Sequence, residues 1–234
     1  MPDEFELQIY ITRHGESLGN LAFAQGDEQT HNTQAEKHDP ELTPRGRAQA
    51  VLLGERLSHE RFDAVFSSSL IRAVSTAHEV SIRQPGGAVP VEVLRDLAET
   101  GTPWSYSGYP LETLRHRYPE VASHRCLHED ITVWINAEEE DERAAHMARA
   151  EHCIRYFRSR FHRGERIFVA AHGSFNTYLI RAALELTNAN DFNFCQENTG
   201  LTKIKYFLDG KARLSYANDT SHLFAENPQL TFSL

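Results

Sequence analysis

Basic charge is scarce in this sequence, and so are cysteine, long apolar runs and linker-like stretches. Its 234 residues carry 24 Lys and Arg against 33 Asp and Glu, a formal net charge of −9. Nucleic acids and lipid headgroup surfaces are themselves anionic, so this balance argues against a general nucleic-acid or membrane-surface binder. A small anionic substrate is still allowed, because a local cluster of Arg and His can hold phosphate inside an acidic protein. No apolar stretch approaches the length of a membrane-crossing helix. The opening Met1-Pro2-Asp3-Glu4-Phe5-Glu6 has no positive region followed by an apolar one, so no secretory signal is expected. The three cysteines, Cys126, Cys153 and Cys195, are odd in number and widely spaced. They suit free thiols in a reducing compartment better than a disulfide framework, and the chain reads as cytoplasmic.

What is present is ordinary globular material, 40% hydrophobic and 24% charged, enough for a sizeable core. With no Pro-rich or Gly/Ser linker and no internal repeat, one domain over 1–234 is expected, with an inserted helical or loop segment at about 96–140. Leu7–Ile11 alternates apolar and polar residues and predicts a strand. Gly26 to Asp39 has no period and reads as loop. Thr43-Pro44 opens a helix, with Thr as N-cap and Pro in the first turn, and Ala50, Leu53, Gly54 and Leu57 share one face. Asp63–Phe66 is a short buried strand, followed by a helix from about Leu70 to Val80. Val89–Leu94 is a further strand. Leu111 to Ile135 is expected to hold one or two short helices. Met147, Ala150, Ile154, Phe157 and Phe161 mark an amphipathic helix. Arg166–Ala170 reads as a central strand, with a helix after it through Leu184. Leu201–Leu208 and Lys211–Tyr216 flank Asp209-Gly210, a hairpin signal. Strands alternating with helices imply a three-layer α/β/α fold around a mostly parallel mixed sheet.

The unusual residues cluster at strand ends. Arg13-His14 follows the first strand, Arg72 lies just beyond the second, and His172-Gly173 follows the central one. Ligands of parallel α/β sheets bind outside the carboxyl ends of the strands, where helix N-termini offer free N–H groups. Two Arg and two His meeting there suit a phosphoryl group. Each guanidinium presents a planar fork of donors, and fixed positive donors are the main device for phosphoryl transfer. A neutral imidazole can attack phosphorus and divide one displacement into two easier ones. A carboxyl group is then needed for the leaving oxygen.

Arg13-His14-Gly15-Glu16-Ser17, followed by Asn20, resembles the signature of the histidine phosphatase superfamily, also called phosphoglycerate-mutase-like. The similarity continues through Leu42–Ala50, Ser67–Ala73, Ala171-His172-Gly173 and Asn198-Thr199-Gly200, in the family's order. The resemblance implies a phosphoglycerate-mutase-like fold, His14 as the phosphorylated residue, and a phosphate pocket of Arg13, Arg72 and His172, with Asn20 and the backbone at Gly173 as further contacts. It places the acid/base carboxylate after the third strand, where Glu99 is favoured and Asp96 is the alternative. Glu16 is expected to orient its loop. No metal or organic cofactor is implied, and the expected partner is a phosphorylated small molecule, not nucleic acid or membrane. Arg115, Arg117 and Arg125 are open to contacts with extra phosphates or to solvation.

Gly101-Thr102-Pro103-Trp104-Ser105-Tyr106-Ser107-Gly108 departs from the Gly-x-Trp-Glu-Gly that many phosphatases of the family carry. The Glu-Arg-His-Tyr-Gly block of the mutases is not found after the third strand. A phosphomonoester hydrolase is the leading expectation. A cofactor-dependent phosphoglycerate mutase and a catalytically silent phosphate- or partner-binding module of the same fold are the alternatives.

Overall fold

Strand β1 runs from Phe5 to Arg13, and the alternation in its sequence suggests one buried face. In the computed structural model, which describes residues 5–26, 39–102, 106–127, 139–186 and 193–226, both faces are covered. Leu7, Ile9 and Ile11 are buried on one side, while Gln8, Tyr10 and Thr12 on the other are at most 2% exposed. Helices close over both sides of the sheet, so even the polar positions of the alternation lie inside. Tyr10 meets the edge of Phe62 at 5.0 Å between ring centroids.

The remaining strands are β2 (Ala64–Ser68), β3 (Val91–Leu94), β4 (Val121–Arg125), β5 (Glu165–Ala171), β6 (Leu201–Phe207) and β7 (Ala212–Asp219). They form one seven-stranded sheet in the order β4-β3-β2-β5-β1-β6-β7. Strands β1 to β5 are mutually parallel, with Ile9 opposite Ile167 and Val65 opposite Phe168. The β6–β7 hairpin is antiparallel and turns at Asp209-Gly210, where Gly210 takes the left-handed φ of 79°. Helices α1 (Leu18–Gln25), α2 (Pro44–Arg56), α3 (Ile71–Ser81), α4 (Leu111–Arg117), α5 (Glu139–Arg160), α6 (Gly173–Ala183) and α7 (Ser221–Glu226), with a 3₁₀ turn at Arg95–Leu97, complete the described elements.

Two cores result. Leu7, Ile9, Ile11, Phe66, Ile167 and Val169 pack under α5 and α6, where Phe157, Phe175 and Leu179 meet them. Tyr10, Val65, Val93 and Phe168 pack under α2 and α3 through Leu53, Ile71, Val74 and Ala77. The α/β/α layering is therefore as expected, and so is the start of α2: Thr43 Oγ1 accepts from Gly46 N at 2.9 Å, with Pro44 in the first turn.

Two local expectations change. The segment expected to hold only helices and loops also contributes β4, which pairs parallel to β3 as the edge of the sheet; its parts 103–105 and 128–138 lie outside the described residues, as does most of the Gly26–Asp39 loop. The strand was hard to read because Val121–Arg125 has only one fully buried residue, Val121. Helix α1 was not expected at all. It is short and carries no buried residue, so it has no apolar stripe; its signal is the reciprocal cap between Ser17 and Asn20 and the left-handed Gly26 that ends it. Strand β3 also begins at Val91 rather than Val89, since Pro90 has no N–H to give to the ladder.

The loop after β1 is pressed onto the start of α2 closely enough to exclude a side chain on either backbone. A Cβ on Gly46 would lie 1.9 Å from the Glu16 carbonyl oxygen, and one on Gly15 would lie 2.3 Å from the Gly46 oxygen. Gly46→Ala must push the two segments apart, an overpacking cost of about 1–3 kcal/mol. Urea denaturation should show a lowered midpoint, whereas Gly101→Ala, with nothing within 4 Å, should melt like the wild type. Equal midpoints for the two variants would contradict the close approach.

Candidate active site

Backbone hydrogen bonds pin the turn after β1 before any side chain is considered. His14 N donates to Ala171 O on β5 at 3.0 Å, and Thr199 N donates to Arg13 O at 3.0 Å. Gly15 N donates to Thr76 Oγ1 on α3, Glu16 N donates to Gln49 Oε1 on α2, and Asn198 Nδ2 donates to His14 O at 2.9 Å. Glu16 is itself buried and accepts from Thr43 and Arg45 at 2.7 and 3.1 Å. It ties the turn to α2.

The strand order brings the motif residues together. With β5 lying between β2 and β1, the residues after these three strands emerge side by side at one edge of the sheet. His14 Nδ1 lies 2.6 Å from Gly15 O, so it carries the proton and donates, which leaves Nε2 with a lone pair. That lone pair accepts from Arg72 Nε at 3.2 Å. Burial first, and then the charges of Arg72 and Arg13, hold the His14 pKa well below the usual imidazole value. The ring is thus neutral, with its free nitrogen directed at a guanidinium.

Arg72 sits in the first turn of α3 and is itself buried. Its Nη1 lies 3.6 Å from Asp39 Oδ1 and makes no hydrogen bond. Arg13 Nη1 donates to Gln196 O at 2.9 Å. Both guanidiniums, with His14, Asn20, Glu99 and Gly173, line a cleft of about 750 Å³. Asn20 Oδ1 is taken up by Ser17 and Asn198, so only its NH₂ is left to meet an anion.

His172 lies beside His14, with ring centroids 5.1 Å apart, but is fully buried behind it. Its Nε2 pairs with Ser68 Oγ at 2.7 Å, and its Nδ1 has no partner. Burial, reinforced by Arg72, His14 and Arg13, pushes its pKa far down as well. The two carboxylate candidates are well separated by their surroundings. Glu99 lines the cleft and accepts from Thr100 N at 2.8 Å, Phe175 N at 3.0 Å and Ser174 N at 3.3 Å, so it sits at the N-terminus of α6. Asp96 is 1% exposed and accepts instead from Leu127 N at 2.8 Å. It does not reach the cleft.

Several contributors were not singled out in the sequence. Asp39 closes the ring around Arg72 and also accepts from Ile71 N at 2.7 Å and Tyr106 Oη at 3.2 Å. Burial pushes its carboxyl up to about 6, against the opposing pull of Arg72. Gln196, which accepts from Arg13, and Thr76, which accepts from Gly15 N, meet the site from distant parts of the chain and no local pattern marks them, whereas Ser68, the partner of His172, lies within the Ser67–Ala73 block. Of the three arginines open to an extra phosphate, Arg117 pairs with Glu41 and Arg125 with Glu92, while Arg115 donates to the carbonyls of Val121 and Ala122. Among the described residues no group of three or more His, Cys, Asp or Glu is placed to hold a metal ion, and no helix is long and apolar enough to cross a membrane.

A family model for the histidine phosphatase superfamily (branch 1) matches residues 9–220. The chain belongs to that superfamily. It is 28% identical to 2,3-bisphosphoglycerate-dependent phosphoglycerate mutase 1 of Arabidopsis thaliana, over 88% of this chain and 66% of that protein. It is 36% identical to phosphoserine phosphatase 1 of Hydrogenobacter thermophilus over 84 residues, 35% of this chain and 37% of that one. The chain thus spans less than two thirds of the length of these curated relatives. Among solved structures, phosphoserine phosphatase from Entamoeba histolytica in complex with 3-phosphoglyceric acid aligns with a TM-score of 0.58 at 22% identity, over 93% of this chain and 99% of that one. Phosphoglycerate mutase from Bacillus anthracis aligns with 0.59 at 22%, over 94% and 96%. At such identities the structures establish a shared fold.

Membership of the superfamily does not by itself explain how so many imidazoles stay neutral inside, and that neutrality has a measurable consequence. Besides His14 and His172, burial lowers His124, and burial and Arg56 lower His222 to about 4. In the unfolded chain each titrates near 6.5. Between about 4 and 6.5 the unfolded state therefore binds more protons, so stability is present above 6.5 and is lost as pH falls. Asp39 opposes this between 3.8 and about 6, because its protonated form is favoured in the fold. Four histidines against one carboxyl predict a melting temperature that declines from pH 7 to pH 5, with a shallower decline in His222→Asn. A flat profile over that range would contradict the neutral assignment.

Proposed function

We propose that the chain is a phosphomonoester hydrolase acting through a phosphohistidine on His14. The observation that carries this reading is the presentation of His14 Nε2, deprotonated and beside Arg72, in a cleft that also holds Arg13 and Glu99. In the resting site Arg72 Nε occupies the nitrogen lone pair. A phosphate monoester competes for that donor, since its oxygens are the stronger acceptors, and frees Nε2 for attack. Arg13, Arg72, the Asn20 NH₂ and the backbone N–H of Gly173, the first residue of α6, hold the oxygens. The Nε2–P bond forms as the ester P–O bond breaks, and the departing oxygen takes a proton from Glu99. Water then attacks phosphorus, the N–P bond breaks, and Glu99 takes the proton back.

His172, behind His14, packs against the ring and keeps its unpartnered Nδ1 in the same polar enclosure. The positive charge that stabilises the transferring group comes from guanidiniums, so this reading requires no metal or organic cofactor. Cys126, Cys153 and Cys195 form no disulfide, which fits our placement of the enzyme in the cytoplasm. The substrate class is a phosphorylated small molecule.

His14→Ala should lose turnover together with acid-labile labelling by a ³²P-monoester. Glu99→Gln should lower kcat/KM, which reports transfer to His14 and not the later hydrolysis, by about 10²–10⁴ for an alkyl phosphate, and by much less for an aryl phosphate whose leaving oxygen needs no proton. Equal losses on both substrates would remove Glu99 from the acid role. The mutase reading is favoured by the match to the Arabidopsis mutase over most of the chain. It predicts that 3-phosphoglycerate yields the 2-isomer and not free phosphate, and the two products are separable in a single assay.

A further inference from the structure

Arg72 is held by more than His14. On the other side of its guanidinium lies Asp39, 2% exposed, with Oδ1 3.6 Å from Arg72 Nη1. The hydrogen bonds of Asp39 go elsewhere: Oδ1 accepts from Ile71 N at the start of α3, and Oδ2 accepts from the Tyr106 hydroxyl. The carboxylate is thus fixed to the helix that carries Arg72 and to the loop leading into α4. Arg72 meets it by charge attraction without sharing a hydrogen bond. Glu41 is the other charged group bearing on Asp39, and it is turned to Arg117 at 2.9 Å.

We infer that Asp39 is a positioning residue of the phosphate site, setting the Arg72 guanidinium so that its Nε edge meets His14 Nε2, with Tyr106 holding Asp39 in place. A guanidinium has a flexible stem with several rotatable bonds, and its direction must be fixed by what surrounds the head. One edge is fixed by His14. The opposite nitrogen, Nη1, is buried and makes no hydrogen bond; Asp39 is the carboxylate within 4 Å of it, and its charge pulls on the guanidinium ahead of that of Glu99. Without that charge the head is free to turn within its enclosure. The hydrogen bond that directs the His14 lone pair would then be lost or lengthened. Desolvation argues the same way. A buried carboxylate whose pKa is pushed upward by burial is costly to maintain, and opposing the charge of Arg72 offsets that cost.

Only the consequence for turnover rests on the hydrolase reading; the geometry does not. The test therefore uses two readouts. Asp39→Asn keeps an oxygen for Ile71 N and removes the charge, and Tyr106→Phe removes only the donor to Oδ2. With ¹⁵N-histidine labelling, the His14 Nε2 resonance should move in Asp39→Asn towards that of an acceptor without a partner. The kcat for an aryl phosphate should fall by about tenfold to a hundredfold, with a smaller change in KM. Tyr106→Phe should shift both readouts in the same direction by less, and it decides the matter if Asp39→Asn does not fold. Turnover by the wild type with both variants unchanged in resonance and kcat would overturn the positioning role and leave the hydrolase reading intact. A resonance that moves in the variants, while the wild type itself shows no turnover, would uphold the positioning role and remove the hydrolase reading.

Discussion

The hydrogen bond from Arg72 Nε to His14 Nε2 imposes the constraint around which the rest of the site is arranged. It is possible only if the imidazole is neutral and its other nitrogen carries the proton, and the Gly15 carbonyl enforces that tautomer. Two guanidiniums and two imidazoles occupy one small buried volume. Protonating either imidazole there would add a charge beside Arg13 and Arg72 without solvent to screen it. Neutral histidine is therefore both a condition for folding and the state in which nitrogen can act as a nucleophile. The same physics serves stability and chemistry.

That volume exists because of the order of the strands. Parallel β2, β5 and β1 are neighbours, so the turns after them open at one edge although they lie far apart in the chain. The backbone there is not free to adapt. Gly15 and Gly46 let α2 come within van der Waals reach of the turn, and Gly15 N, Glu16 N and His14 N each have a partner on a different element. An imidazole mounted this way has little freedom to reorient, which would lower the cost of reaching an attacking geometry in the proposed reaction. The carboxylate is mounted differently. Glu99 sits on a connection beyond β3, and three backbone N–H groups hold it, two of them from the N-terminus of α6.

Much of this was legible in the residues. Thr43-Pro44 announces α2 because side-chain capping and a missing N–H are local effects, and Asp209-Gly210 announces the hairpin because the turn needs a left-handed residue. Met147, Ala150, Ile154, Phe157 and Phe161 announce α5 because an apolar face repeats at the helical period. Helix α1 and strand β4 escaped because neither has a buried face with a period; the first depends on a reciprocal cap and the second on pairing with β3. Asp39 escaped for a related reason. An aspartate before a proline reads as an ordinary turn residue, and its partners Ile71, Arg72 and Tyr106 are more than thirty positions away.

By itself the sequence determined the chemical inventory and its local setting: which histidines and arginines end strands, which residues cap helices, and which family's motif they compose. These follow from interactions within a few residues of one another. Only the tertiary structure decided which lone pair of His14 is free, that Glu99 rather than Asp96 lines the cleft, that His172 lies sealed behind His14, and that Asp39 stands against Arg72. Each of those depends on burial and on charges brought together from distant parts of the chain. Neither quantity exists until the sheet has closed between its two layers of helices.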